Sequence, residues 1–203
     1  KLGSTGTYAQ IATVGANVTT FSDTGLTDGT RYYYRVRAVN ALTTSNYSAE
    51  TSATTPLAVP GIPTGLTATA TSATVVSLSW TDTASNESSF QIERTTGTTG
   101  TYAQIATVGA NVMTYNNGAL TDGTQYYYRV RAVNSGGNSA YSNAAAAITP
   151  LASPTAPTAT APTPSQITLT WTDQSATETS FALERKLGST GTYAQIATVG
   201  ANV

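Results

Sequence analysis

The sequence predicts an all-β chain made of tandem antiparallel β-sandwiches. Three observations carry that expectation: a long block of sequence recurs about every 90 residues, apolar residues alternate with polar ones at a period of two, and Asp-Gly or Asn-Gly turn signals separate the alternating runs. No segment keeps a 3.6-residue apolar period. About one residue in five is threonine, whose β-branched side chain suits extended backbone.

The repeat sets the domain organisation. TGTYAQIATVGANV stands at residues 5–18, 99–112 and 190–203, so Tyr8, Tyr102 and Tyr193 mark three registers, 94 and then 91 residues apart. The three-residue difference falls in the junctions. Pro56-Leu57-Ala58-Val59-Pro60-Gly61-Ile62-Pro63 joins the first unit to the second, and the shorter Pro150-Leu151-Ala152-Ser153-Pro154 joins the second to the third. Short proline-bearing connections imply semi-rigid spacing, hence a rod. Residues 1–18 are also identical to residues 186–203. That longer match predicts two module types alternating with a 185-residue super-repeat.

Taken in chain order, each element has its own signal. Residues 26–40, LTDGTRYYYRVRAVN, contain an Asp28-Gly29 turn and then an alternating run. After the first junction, Val76-Ser77-Leu78-Ser79-Trp80 and Phe90-Gln91-Ile92 alternate apolar and polar. The segment from Tyr102 to Val108 alternates ambiguously, and no faces are assigned to it. Asn117-Gly118 and Asp122-Gly123 mark turns. The run that follows puts Tyr126, Tyr128, Val130 and Ala132 on one face and Tyr127, Arg129 and Arg131 on the other. After the second junction, Ile167-Thr168-Leu169-Thr170-Trp171 repeats the Trp-ending strand.

About seven short strands in about 90 residues describe a two-sheet sandwich. The Trp strand followed by WTD…E…F…ER (Trp80 and Trp171) resembles bacterial fibronectin type III domains, which have immunoglobulin-like topology. The stretch Leu-Thr-Asp-Gly-Thr-X-Tyr at residues 26–32 and 120–126 resembles that family's tyrosine corner. The resemblance implies that Trp80 and Trp171 are core residues. It also implies that Tyr32 and Tyr126 bury their rings and hydrogen-bond nearby backbone through their hydroxyls. On this map residues 60–150 form a complete module. Residues 1–56 are the C-terminal part of a first module and residues 154–203 the N-terminal part of a third. Each part leaves Phe21, Leu26, Tyr34 and Val36, or Ile167, Trp171 and Phe181, without an opposing sheet, at a cost of about 1.5–3 kcal/mol each. Continuation of the chain, or a neighbouring copy joined head to tail, would supply what is missing. The eighteen-residue overlap favours continuation, since complementation would place that strand twice. The opening Lys1-Leu2-Gly3, without leader-like features, is expected of a stretch from within a longer polypeptide.

Composition excludes several chemistries. Nine Lys+Arg against ten Asp+Glu give no electrostatic case for nucleic acid. The chain has no cysteine and no histidine, which removes thiol nucleophiles, imidazole bases and the usual zinc ligands. No apolar run is long enough to span a bilayer. Asp82, Glu87, Asp173 and Glu178 recur after the Trp strands, but two carboxylates per loop are few for calcium, and binding of loop amides is the favoured role. A glycosidase-like acid pair is disfavoured by its recurrence in every module. Tyr33, Arg35 and Arg37, with Tyr127, Arg129 and Arg131, form an aromatic–basic strip, read as an ordinary outer strand face in preference to a stacking platform for sugars or nucleotides. Asn17, Asn46 and Asn86 begin N-x-Ser/Thr tripeptides and are candidate glycosylation sites.

The expected protein is therefore a non-catalytic structural or adhesive fibre or stalk segment, extracellular or at the cell surface, with no cofactor and no metal. Its expected partners are neighbouring copies or modules of the same protein, with surface glycans as a further class. The alternative is an accessory region of a secreted carbohydrate-active enzyme or a glycan-binding module.

Overall fold

The computed structural model describes residues 1–201; the last two positions of the third unit, 202 and 203, lie outside the described residues. Its fourteen strands include no helix among the described residues. The first unit contributes β1 (Arg31–Tyr34) and β2 (Thr51–Thr54), paired antiparallel with Tyr32 opposite Ala53.

The middle unit closes into two sheets. One holds β3 (Thr64–Ser72), β4 (Val75–Thr81) and β7 (Thr114–Asn117) in the order β3-β4-β7. The other holds β5 (Ser89–Thr96), β6 (Ala103–Gly109), β8 (Gln125–Asn134) and β10 (Ala145–Ile148) in the order β10-β8-β5-β6, with the short β9 (Gly137–Asn138) beside β8. The core between them is Leu66, Val76, Leu78 and Trp80 from one sheet against Phe90, Ile92, Tyr126, Tyr128, Val130 and Ala132 from the other. Trp80 meets Phe90 edge to face, with ring centroids 5.7 Å apart, an arrangement that the ring quadrupoles favour.

The strand β8 alternates buried and half-buried residues along its length, as the period of two requires. The ambiguous stretch before it has a structural cause. Ile92 pairs with Ala106 but Glu93 pairs with Gln104, so Ile105 is an extra residue in β6. This bulge shifts the alternation by one halfway along the strand. The Asn117-Gly118 signal also needs correcting. The left-handed residue is Ala119 (φ 54°), two beyond Asn117, and the matching position of the first unit carries Gly25 (φ 74°).

The third unit holds two hairpins, β11 (Thr155–Thr163) with β12 (Gln166–Thr172), and β13 (Ser180–Arg185) with β14 (Ala194–Gly200). They repeat β3–β4 and β5–β6, including the bulge, now at Ile196. Trp171 and Phe181 keep the edge-to-face contact at 5.4 Å. Among the described residues no strand equivalent to β8 covers them, and a groove lined by Pro157, Leu169, Trp171, Phe181 and Leu183 stays open. Val36 in the first unit and Ile167 in the third are 68% and 66% exposed, whereas their counterparts Val130 and Val76 in the middle unit are buried.

Candidate functional site

The chemistry-bearing residues of the middle unit gather in two places, the outer face of the β5–β8 sheet and the turn before β8. On the outer face, Arg129 lies between two tyrosine rings, 3.7 Å from the centroid of Tyr141 and 4.2 Å from that of Tyr102. Arg131 also approaches the Tyr141 ring, at 4.9 Å from its centroid. The result is a four-rung ladder, Tyr102–Arg129–Tyr141–Arg131, each step an attraction between a cation and a ring quadrupole worth roughly 0.5–2 kcal/mol. Glu93, directly opposite Arg129 in the register, locks the ladder. It takes the guanidinium at 2.6 Å and the Tyr141 hydroxyl at 2.5 Å. Arg131 donates to Gln91 Oε1 at 2.9 Å.

Electrostatics follow from this geometry. Burial pushes the Glu93 carboxyl toward its neutral form, but the Tyr141 hydroxyl and the Arg129 guanidinium outweigh it, and its pKa lies below the ordinary carboxylate value. Burial, and then the bond to Glu93, raise that of Tyr141. On the inner face, burial lifts Tyr128 to about 12; its hydroxyl donates to Asn117 Oδ1 at 3.1 Å.

The first unit repeats the ladder. Arg35 lies 3.9 Å from the ring of Tyr8 and 3.8 Å from that of Tyr47, and Arg37 lies 4.8 Å from Tyr47. Its carboxylate is Glu50, which accepts from the Tyr8 hydroxyl and pairs with Lys1 at 3.0 Å. The arginines of the sequence strip are thus engaged, but with tyrosines from outside it. Tyr127 has no cation over its ring, while Tyr33 faces Lys1 and Arg31. The partners Tyr141 and Tyr47 were not singled out from sequence. Their signal was present: Ser45-Asn46-Tyr47-Ser48 and Ser139-Ala140-Tyr141-Ser142 stand in the same repeat register. The flanking serines place the tyrosine. Ser139 Oγ and Ser142 Oγ accept the amides of Ala132 and Val130 at 2.9 and 3.1 Å, binding the segment to β8 where the regular ladder is interrupted.

The turn before β8 carries the tyrosine pair. Tyr126 is buried, and its hydroxyl accepts the Thr121 amide at 3.0 Å. Tyr32 accepts that of Thr27 at 2.9 Å. Trp80 is buried with Nε1 lacking a protein partner, and Trp171 is half-buried. Asp82 and Asp173 each accept a loop amide at 2.9 Å, from Ala84 and Ser175. Glu87 accepts the Asn111 amide at 3.2 Å, and one carboxylate oxygen each of Glu87 and Glu178 has no partner among the described residues. Among the described residues no three acidic side chains converge on one point. Asn17 and Asn46 are exposed, whereas Asn86 is half-buried and donates through Nδ2 to the Ala58 carbonyl at 3.0 Å. A glycan on Asn86 would substitute one of the two N–H groups of the amide that makes that bond.

The same turn meets the module that follows. Asp122 is buried in the angle between the units, and its carboxylate accepts the Ala152 amide at 3.0 Å, the Ser175 hydroxyl and the Ala176 amide at 3.2 Å. These donors, the Ala152 amide foremost, hold its pKa below the usual aspartate value. Gly123, left-handed at φ 56°, lies so close to Leu151 and Thr177 that a Cβ would collide with both.

Comparison with known proteins places the middle unit. The profile described as "Fibronectin type III domain" matches residues 61–148. Exoglucanase B of Cellulomonas fimi is 34% identical over 143 residues, which cover 64% of this chain and 12% of that protein. The chain therefore spans about an eighth of that relative's length. Among solved structures, an Fn3-like protein from Clostridium thermocellum is 32% identical, covering 47% of this chain and 99% of that one, with a TM-score of 0.40. The FN1–FN3 domains of chicken CNTN1 are 22% identical, covering 64% and 44%, with a TM-score of 0.46.

Proposed function

Since residues 61–148 are a fibronectin type III domain, and parts of two more repeat its sequence on either side, we propose that this chain is a non-catalytic spacer segment of an extracellular fibre or stalk. The observation that carries the reading is the closure of the outer face upon itself. Arg129, Arg131, Glu93 and Tyr141 take their partners from within the module, and the first unit builds the same ladder from Arg35, Arg37, Tyr8 and Tyr47. A face made to bind would leave its cations free; here both arginines are taken up by stacking that stiffens the sheet, and Tyr127 alone of the strip has no cation over its ring among the described residues. Near-identity of the units suits one role performed repeatedly, as in arrays whose stability sums over modules and junctions. Its neighbours are then modules or copies of the same kind, joined head to tail.

The similarity to Exoglucanase B supports a second reading, an accessory region of a secreted carbohydrate-active enzyme. In that setting the chain still spaces other domains and does not act on sugar itself. Co-sedimentation of the full chain with insoluble cellulose and chitin, with an assay for released reducing sugar, tests both readings. The expected result is no retention and no release. Saturable retention would replace the spacer with a glycan-binding module, and sugar release would overturn the non-catalytic assignment.

A further inference from the structure

The two junctions differ in more than length. At the short one, the Asp122 carboxylate reaches past the linker and takes Ser175 and Ala176 of the next module directly. Thr177 closes the contact by donating to the Asp122 carbonyl at 3.0 Å, and Gly123 leaves room for it. At the long one, the matching Asp28 carboxylate accepts, among the described residues, only the linker amide of Ala58, at 2.9 Å. The residues standing where Ser175 and Thr177 stand are Ala84, which has no hydroxyl, and Asn86, which turns to the linker.

The linker of the long junction belongs to the module after it. Its Ala58 carbonyl accepts from both Asn86 (3.0 Å) and Asn134 (2.8 Å), and the Leu57 carbonyl is pressed against Gly136 so closely that a Cβ there would clash. The preceding module meets this linker around the Asp28–Gly29 turn, at Pro56, Leu57 and Ala58. Among the described residues it makes no hydrogen bond to the body of the second module.

We propose that the Asp122–Gly123 turn is a docking surface for a following module whose loop reads Ser-Ala-Thr after its Trp-Thr-Asp strand end. The short junction thereby locks two modules into one rigid pair, and the long junction acts as the pivot between pairs. The specificity lies in the loop hydroxyls and one spacing. Ser175 donates its hydroxyl to the carboxylate and Thr177 reaches it at 3.5 Å, and the three extra residues of the long linker hold the next loop out of reach. Because residues 186–203 repeat residues 1–18, the same two joints would alternate along a continued array. This deepens the spacer reading: the segment becomes a chain of stiff two-module links.

The absence of cysteine makes the test direct. Nitroxide labels on cysteines at the exposed matched positions Ala9, Ala103 and Ala194 report distance distributions across each junction of the full chain by electron–electron double resonance. Asp122→Ala is expected to broaden the 103–194 distribution at least two-fold, while Asp28→Ala leaves the 9–103 distribution as it was. The pair Ser175→Ala and Thr177→Val, on the opposite side of the contact, must reproduce the broadening, which guards against Asp122→Ala having merely damaged its own turn; Ala already stands at the matched position 84. Unchanged 103–194 distributions in both variants, or equal broadening by Asp28→Ala across its own junction, would overturn the proposal. Polysaccharide retention would overturn the spacer reading and leave the joint standing, so the two failures are distinguishable.

Discussion

Removing one oxygen from Tyr126 isolates the bond that ties the turn to β8. In Tyr126→Phe the ring stays in the core, and only the acceptor for the Thr121 amide, now 3.0 Å away, is lost. A hydrogen bond contributes about 0.5–1.5 kcal/mol net, and a buried donor left without a partner costs about 1–3 kcal/mol. Thr121 is itself exposed, so water reaches the freed amide, and the expected loss is the net bond alone, about 0.5–1.5 kcal/mol. At roughly 4–8 °C per kcal/mol for a module of this size, the midpoint should fall by roughly 2–12 °C. Tyr127→Phe is the control. Its hydroxyl has no protein partner among the described residues, and the expected change is within about 0.5 kcal/mol. Trp80 fluorescence during thermal and guanidinium unfolding, in a Trp171→Phe background, reads the middle module alone. Equal losses in the two variants, or a loss below about 0.5 kcal/mol in Tyr126→Phe, would refute the reasoning.

Three further outcomes follow from named contacts. Ile92→Ala should cost about 2–5 kcal/mol because Ile92 is fully buried, while Ile167→Ala, at 66% exposure, should leave chemical denaturation unchanged within about 0.5 kcal/mol. Ala119→Gly should stabilise the middle module by about 1 kcal/mol, since Ala119 sits at φ 54° where an L side chain is strained; a lower midpoint would contradict this. Glu93 has a folded pKa below its unfolded value near about 4.3, so it stabilises the module above that pH, and this contribution is lost as pH falls through the folded pKa. Acid unfolding of Glu93→Gln should therefore show a shallower slope below about pH 4 than the parent chain, and matching slopes would remove Glu93 from the acid response.

Much of the fold was legible because it is written in period-two alternation and in repeats. The run from Tyr126 to Ala132 gave its faces directly, and Trp80, which the family resemblance implies is a core residue, is buried against Phe90. The β6 faces were not legible, because a bulge at Ile105 leaves no mark in composition and breaks the very alternation that would reveal the strand. The turn after β7 misled for a related reason: Asn117-Gly118 is a strong local signal, yet the backbone reversal is completed at Ala119, where tertiary packing imposes a conformation the residue does not favour alone. The ladder was half legible. Arg129 and Arg131 were visible on one strand, but Tyr102, just before β6, and Tyr141, between β9 and β10, reach Arg129 across 27 and 12 residues of sequence. The junction lock was not legible at all, since it depends on Asp122 meeting a loop more than fifty residues away.

The most direct test of a passive spacer is whether its outer face answers to sugar. Arg129 and Arg131 Nε–Hε resonances, recorded on isotope-labelled chain during titration with cello- and chito-oligosaccharides, report on the ladder itself. A face closed by Glu93, Tyr102 and Tyr141 predicts that both resonances stay in place to millimolar sugar. A saturable shift of either, lost in Tyr141→Ala, would show that the ladder is a binding platform and that the chain does more than hold others apart.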